Sequence, residues 1–273
     1  MTKKGILYIC PTPIGNLKDM TFRAIEVLSS VDLILCEDTR TSQKLLNHYE
    51  IKTKTKSYHK FNEKQTSKDI IALLKQGQNI AIISDAGTPI ISDPGCELLK
   101  EAVKNNITIL PIAGASAVTT FMSAVYNPSG QFFFAGFLPK KQSEKEAFLR
   151  KFKTQTVVFY ESPNRLVKTL EEIQNLSPKA QIAVGRELTK LYEEVKQGSI
   201  ETILEHYSKN PPKGEIAIAI IAQDDEKTSD VDEKILQLNA QGYSVNDISK
   251  ILSTIFGVSK KEIYKKTLLL TKK

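Results

Sequence analysis

Carboxylates and arginines recur in this sequence at one kind of place, just after short apolar runs. Leu33-Ile34-Leu35-Cys36 leads into Glu37-Asp38-Thr39-Arg40, and Ile80-Ala81-Ile82-Ile83 leads into a stretch holding Asp85 and Asp93. Residues 156–160 are followed by Glu161 and Arg165, and residues 181–184 by Arg186 and Glu187. A carboxylate can take a proton from a hydroxyl and an arginine can hold a phosphate, so the set suits chemistry on nucleic acid. The same residue types also build salt bridges that fix turns, and both readings stand for Arg40 or Arg165 taken singly. Other chemistries lose support. Ser116 lacks the G-x-S-x-G frame of a nucleophile elbow, and no phosphate-loop, G-x-G-x-x-G or H-E-x-x-H pattern occurs. His48, His59 and His206 have no metal-ligand spacing. Cys10, Cys36 and Cys96 are odd in number, far apart and in no C-x-x-C pair, so neither a disulfide framework nor a zinc site is suggested.

The elements that must position these residues follow from periodicity. The chain is organised around Ser84-Asp85-Ala86-Gly87-Thr88-Pro89-Ile90-Ile91-Ser92-Asp93-Pro94-Gly95, which lies between a short buried strand and a helix over residues 96–105. Such a strand-to-helix turn is where open α/β sheets bind ligands, and its glycines allow close backbone approach. A first strand at Ile6-Leu7-Tyr8-Ile9 ends in Pro11-Thr12-Pro13-Ile14-Gly15-Asn16; a second, residues 33–35, ends in Glu37 to Arg40; a further strand at residues 107–112 turns at Ala113-Gly114-Ala115-Ser116-Ala117. Helices are predicted over residues 21–28, around Leu45, Leu46 and Tyr49, around Ile70 to Leu74, and through Phe121 and Met122. Strands alternating with helices imply βαβ units and a largely parallel sheet, with four turn-bearing strand ends facing one crevice.

Past the turn cluster Asn127-Pro128-Ser129-Gly130 the pattern changes. Strands at residues 132–137, 156–160, 181–184 and 215–222 mix with helices at 166–176 and 200–207, giving an α/β half with a mixed sheet. Asp224-Asp225-Glu226 reads as a linker. Three short helices follow, the last two opened by Ser244-x-x-Asp247 and Ser259-x-x-Glu262. The expected domains are residues 1–122 and 123–225, both α/β, and a small helical domain at 226–273. From residue 227 onward nine lysines face five acids, net +4, so this tail is either a nucleic-acid contact or a packing appendage.

The whole chain carries a net charge of +7, with a pI near 9.1. This permits an anionic partner. Residues 51–68 hold six lysines, among them Lys56 and Lys60, against the single Glu63, interleaved with Tyr58, His59 and Phe61. Lysines mixed with rings suit looped or single-stranded RNA, although a solvated lysine-rich loop has the same composition. A second basic run spans Lys140, Lys141, Lys145, Arg150, Lys151 and Lys153. No apolar run approaches the ~20 residues of a membrane span, and the amino terminus lacks a signal pattern, so a cytoplasmic protein is expected.

Several of these turns together carry a resemblance. Pro11-Thr12-Pro13-Ile14-Gly15-Asn16-Leu17-x-Asp19-Met20-Thr21-x-Arg23-Ala24, Cys36-Glu37-Asp38-Thr39-Arg40, residues 84–95, Ala113-Gly114-Ala115-Ser116-Ala117 and Phe159-Tyr160-Glu161-Ser162-Pro163-Asn164-Arg165 stand in the order seen in the ribosomal small subunit methyltransferase I family. That family belongs to the tetrapyrrole, or class III, methylases, and the resemblance spans residues 5–223. It implies a homodimer of two-domain α/β subunits with S-adenosylmethionine in the cleft between the domains. It also implies 2′-O-methylation of a cytidine, called 1402, in 16S rRNA of the small ribosomal subunit. By position, Pro13, Asp85, Ala86, Gly87, Ile91, Ser92, Ser116 and Ala117 would form the cofactor wall, met from the other domain by Leu188 and residues near Gly214. Glu37 or Asp38 would take the hydroxyl proton beside Arg40. Arg23, Lys56, His59, Lys60 and Arg165 would hold the RNA. A tetrapyrrole methylase acting on a macrocycle and a non-catalytic RNA-binding protein remain alternatives; the lysine-rich loop and the Glu37 to Arg40 motif weigh against the first, the cofactor turns against the second.

Overall fold

Strands whose side chains are buried on both faces form the centre of the first half, which is the pattern of a parallel sheet covered by helices. In a computed structural model, which describes residues 4–152, 154–222 and 225–271, β1 (Ile6–Ile9), β2 (Leu33–Cys36), β3 (Thr55–Ser57), β4 (Ile80–Ile82) and β5 (Thr108–Pro111) pair in parallel in the order β3-β2-β4-β1-β5. Leu7, Ile9, Leu35, Ile80 and Ile82 turn to one face. There they pack with Ile70, Ile71 and Leu74 of α3 (Glu63–Lys75) and with Leu98 and Ala102 of α4 (Cys96–Lys104). Ile34, Cys36 and Ala81 turn to the other. They meet Ala24 and Leu28 of α1 (Phe22–Ser30) and Leu46 of α2 (Thr39–His48). Because every strand runs the same way, the turns after β1, β2, β4 and β5 lie along one edge.

The second sheet has the order β6-β7-β10-β8-β9, built from β6 (Phe133–Phe137), β7 (Val157–Glu161), β8 (Gln181–Arg186), β9 (Glu194–Ser199) and β10 (Ile216–Ile221). Only β6 and β7 pair in parallel; β10 runs antiparallel to β7 and β8, and β8 to β9. Large residues face α7 (Leu166–Leu176) and α8 (Ile200–Lys209): Val157, Phe159, Ile182, Val184, Ile216 and Ile218 all join that core. Small ones, Ala183, Ala217 and Ala219, face the other way, against Val118 and Phe121 of α5 (Ala117–Ser123). The alternation of isoleucine with alanine in β10 thus sorts a packed face from a face with room beside it.

The chain divides into two compact units, residues 1–221 with both sheets and residues 222–273. The second holds α9 (Asp225–Ala240), α10 (Val245–Phe256) and α11 (Lys260–Thr271) around Val231, Ile235, Ile248, Leu252 and Ile263. Ser244 caps α10 by accepting from the Asp247 N–H, and Gly257 ends it in the left-handed conformation, φ 65°.

Three expectations are corrected. Residues 51–68 are no continuous loop: β3 and the first turn of α3 lie within them, because Tyr58 is buried and its hydroxyl lies 3.0 Å from Ser67 Oγ. The second basic run holds the helix α6 (Gln142–Lys151), and Lys145 does not face solvent; it is buried in an ion pair with Glu172 at 2.6 Å. Lys153 lies outside the described residues. Of the expected linker, Asp224 lies outside the described residues, while Asp225 and Glu226 already belong to α9. The strand β9, with its polar residues Glu194, Lys196 and Gln197, escaped the apolar pattern. Among the described residues no helix is long and apolar enough to cross a membrane.

Candidate active site

The turns at the edge of the parallel sheet are fastened to one another. Thr12 and Gly87 exchange two backbone hydrogen bonds of 2.9 Å, joining the turn after β1 to the loop after β4. Thr12 Oγ1 donates to the Ser84 carbonyl at 3.0 Å, and Thr88 Oγ1 donates to the Ala115 carbonyl at 2.9 Å, which adds the turn after β5. The Asp38 N–H donates to Asp85 Oδ1 at 3.3 Å and brings in the turn after β2. Gly87 has φ 80°, and a Cβ there would stand 3.2 Å from Ile14 Cγ2. A glycine therefore suits this clamp.

Between these turns and the alanine-bearing face of the second sheet lies a cleft of about 450 Å³. One wall is Ile14, residues 85–88, Ile91, Ser92, Asp93, Ser116 and Ala117; the other is Phe137, Tyr160 to Pro163, Gly185, Leu188 and Gly214 to Ala217. Of the residues expected at a cofactor wall, Asp85, Ala86, Gly87, Ile91, Ser92, Ser116, Ala117 and Leu188 line this cleft. Pro13 does not: it is buried, and Ile14 is the residue of that turn at the surface of the cleft. Asp93, named in the sequence among the strand-end carboxylates, lines the cleft too, whereas sequence reasoning passed over Phe137, Tyr160 and Gly185 as cleft residues. Gly185 left a faint signal as a glycine inside a strand. A Cβ there would meet Phe121 Cδ2 at 2.5 Å, so the strand tolerates only glycine where α5 crosses it.

Glu37, Asp38 and Arg40 are not among the lining residues; they adjoin the cleft through Asp85. Asp38 is the N-cap of α2 and accepts from the Arg40 N–H at 2.8 Å, while the Arg40 guanidinium grips the same carboxylate at 2.8 and 3.1 Å. These bonds, led by that from the Arg40 side chain, hold Asp38 down to about 2, which leaves it a weak proton acceptor. Glu37 is shifted the other way, upward, by burial first and by the Asp85 charge second, with His59 opposing. Asp85 is likewise raised, mainly by burial. Arg165 is committed: its Nε donates to Glu161 Oε1 at 2.7 Å, and Thr169 Oγ1 donates to Oε2 of the same buried carboxylate at 2.8 Å. Arg23 and Lys60 are exposed, as are the rings Phe22 and Phe61 beside them. Lys56 lies 3.8 Å from Asp69, and His59 is half-buried with an Nδ1 that has no hydrogen-bond partner among the described residues.

Across the cleft the loop after β8 is drawn into shape by charge. Lys190 Nζ bonds Glu187 at 2.9 Å and Glu215 at 3.1 Å, and the Lys190 bond is the first cause holding the Glu187 carboxyl below its usual range. Glu187 and Thr189 both take positive φ, 50° and 63°, on either side of Leu188, which projects into the cleft. A β-branched residue in that region is strained, and the ion pairs are what oppose its relaxation.

The chain whose cleft lies between a parallel and a mixed sheet is a methylase of the tetrapyrrole type, as a family match over most of its length shows. The family model of the Tetrapyrrole (Corrin/Porphyrin) Methylases matches residues 6–204. A uroporphyrin-III C-methyltransferase from Thermus thermophilus, solved in complex with S-adenyl homocysteine, shares the fold with a TM-score of 0.55 at 14% identity, over 79% of this chain and 97% of that one. Sequence relatives narrow the class. The ribosomal RNA small subunit methyltransferase I of Bacillus subtilis (strain 168) is 41% identical over 264 residues, covering 96% of this chain and 88% of that protein. The protein of the same name from Mesorhizobium japonicum is 40% identical over 269 residues, covering 96% and 91%. The chain belongs to the ribosomal RNA small subunit methyltransferase I family within the tetrapyrrole methylases.

Proposed function

We propose that this enzyme methylates the ribose 2′-hydroxyl of one cytidine, the one called 1402, in 16S rRNA of the small ribosomal subunit. The observation that carries the reading is the cleft itself, walled by the turns after three parallel strand ends, β1, β4 and β5, in a chain that also exposes cations and rings suited to RNA. As a methyltransferase of this family it uses S-adenosylmethionine, and the donor set fits that group. The cleft volume lies in the range of ligand sites. Ile14, Ile91, Phe137 and Leu188 offer apolar surface to an adenosyl moiety, while Asp85 offers a carboxylate to a cation.

When bound, the cofactor supplies a methyl group already activated on a sulfonium sulfur. The chain then has mainly to hold, orient and exclude water, which is where much of the acceleration of such a transfer arises. Residues 85–88, Ser92, Ser116 and Ala117 hold the cofactor on one side and Leu188 on the other. Arg23, Lys60 and His59 meet the RNA, with Phe22 and Phe61 available for stacking on unpaired bases. Arg40, 88% exposed, is free to turn a donor outward while Asp38 fixes its base. A cytoplasmic homodimer is part of the same reading.

The test is incubation with labelled S-adenosylmethionine and small ribosomal subunits from a strain lacking the modification, followed by mapping of the labelled nucleotide. Label on the ribose of a single 16S cytidine is expected. Label on a base, or on a macrocycle offered in competition, rejects it.

A further inference from the structure

Proton removal from the ribose hydroxyl needs an acceptor inside the cleft, and the two acids that sequence position suggests are poorly placed. Asp38 is neutralised by Arg40, and neither it nor Glu37 lines the cavity. Four acids do: Asp85, Asp93, Glu161 and Glu215. Glu161 is buried and saturated by Arg165, Thr169 and the Ser162 N–H, and Glu215 is paired with Lys190. Asp85 is the more exposed of the remaining two and its Oδ1 already accepts the Asp38 N–H, whereas Asp93 is half-buried in the cleft wall. Asp93 is left.

We infer that Asp93 is a catalytic residue of this enzyme, the group that accepts the 2′-hydroxyl proton of the substrate ribose. The assignment rests on the ribose-methylation reading above. The loop is bent to deliver this side chain. Ile90 and Ser92 both adopt left-handed backbone, φ 75° and 72°, which is costly for a β-branched isoleucine. Each has room because a glycine lies against it: a Cβ on Gly95 would stand 2.7 Å from Ile90 Cγ1, and one on Gly136 would stand 3.2 Å from Ser92 Oγ. Strain held by packing at a cleft is characteristic of functional segments. Between Ser92 and Pro94 the Asp93 carboxyl is half-buried in the cleft wall, near the Tyr160 phenol of the opposite sheet.

The surroundings then set its affinity for a proton. Burial is the first cause and the Glu37 charge the second, with Asp85 adding to them and a hydrogen bond from Ser84 opposing; together they bring Asp93 up to about 6. Across the cleft, Tyr160 is raised to about 12 by burial, Asp93 and Glu215, so it stays protonated and adds no charge near neutrality. The neighbouring cations are engaged elsewhere: Arg40 with Asp38, Arg165 with Glu161, and Lys190 with Glu187 and Glu215. His59 acts on Glu37. A carboxylate poised near neutrality is ionised at working pH yet basic enough to take a proton as the alkoxide develops. In the step, the 2′-oxygen forms its bond to the methyl carbon as the carbon–sulfur bond breaks and its electron pair stays on sulfur. The hydroxyl proton passes to Asp93, and afterwards to water.

Full-length Asp93→Asn, Asp93→Glu and Glu37→Gln are compared with the wild type using small ribosomal subunits. Rate is followed from pH 5 to 9, cofactor affinity by calorimetry, and melting temperature against pH without any substrate. The wild-type rate is expected to rise about tenfold per pH unit and level off near pH 6, by general-base catalysis. Asp93→Asn should transfer methyl at least about 100-fold more slowly, without that inflection, while binding cofactor within about threefold of wild type. Its melting temperature should exceed that of wild type above pH 6, since the half-buried charge is gone. Glu37→Gln should stay within about fivefold and move the inflection to lower pH. An Asp93→Asn protein that keeps more than a tenth of the rate, or keeps the inflection, overturns the assignment. If that variant does not fold, an Asp93→Glu inflection identical to wild type overturns it. A wild type that labels no ribose removes the functional reading and this assignment with it; an active wild type beside an active Asp93→Asn removes the assignment alone.

Discussion

The two sheets of the first unit treat the carboxylates at their strand ends in opposite ways. At the end of β7, Glu161 is fully buried and satisfied on both oxygens, by Arg165 at 2.7 Å and Thr169 at 2.8 Å. Nearby, Glu187 and Glu215 share Lys190. At the edge of the parallel sheet, Glu37, Asp85 and Asp93 are raised by burial and then by neighbouring carboxylates, Asp38 in the case of Asp85. Pairing serves stability, because an unpaired buried charge is costly. Leaving like charges together sacrifices stability and raises proton affinity, for Asp93 up to about 6. The mixed sheet is therefore the fixed wall, and the parallel sheet carries the reactive edge.

That contrast can be broken from the paired side with the largest effect. Arg165→Ala strands Glu161 in the interior and should cost about 3 kcal/mol at pH 7, read from denaturant unfolding. From the other side the sign reverses. A folded-state value near 6 for Asp93 means that its contribution to stability is fully present below the unfolded value, close to 4, and is lost as pH rises through 6. Asp93→Asn should thus stabilise the protein at pH 8 by on the order of 1 kcal/mol, the full displacement being discounted because the carboxylate is partly exposed. Lys190→Ala should destabilise by roughly 0.5 kcal/mol, as expected for a partly exposed pair. It should also weaken cofactor binding as the strained Leu188 turn relaxes, which calorimetry would detect. The smallest effect is at Asp38. Its depressed value means a contribution present above the unfolded pKa and lost as pH falls through about 2, so Asp38→Asn should flatten the acid limb of the melting curve and lower pH 7 stability by the same small amount, solvent screening this partly exposed carboxylate.

Much of the scaffold was legible because burial enforces periodicity. Ile80 to Ile82 reads as a strand buried on both faces, residues 166–176 as a helix whose bounds are Leu166–Leu176, and Ser244 as the cap of α10. What escaped lacked such a signal. The strand β9 is polar on much of its surface, β3 is only three residues long, and α6 hides its buried Lys145 among solvent-facing charges. The site divides in the same way. Gly87, Ser92 and Ser116 were visible as turn chemistry at strand ends, whereas Gly185 and Phe137 enter the cleft from the second sheet.

The sequence by itself determined the alternating α/β plan, the turns after β1, β2, β4 and β5, and the types of group those turns carry. Only the tertiary structure decided which of those groups are free. Lys145 belongs to Glu172 and Lys190 to Glu215, while Asp93 faces Glu37 and Asp85. The reason is physical: side-chain periodicity and turn preference act over a few residues and are written locally, whereas proton affinity depends on burial and on charges that the fold brings together from distant parts of the chain.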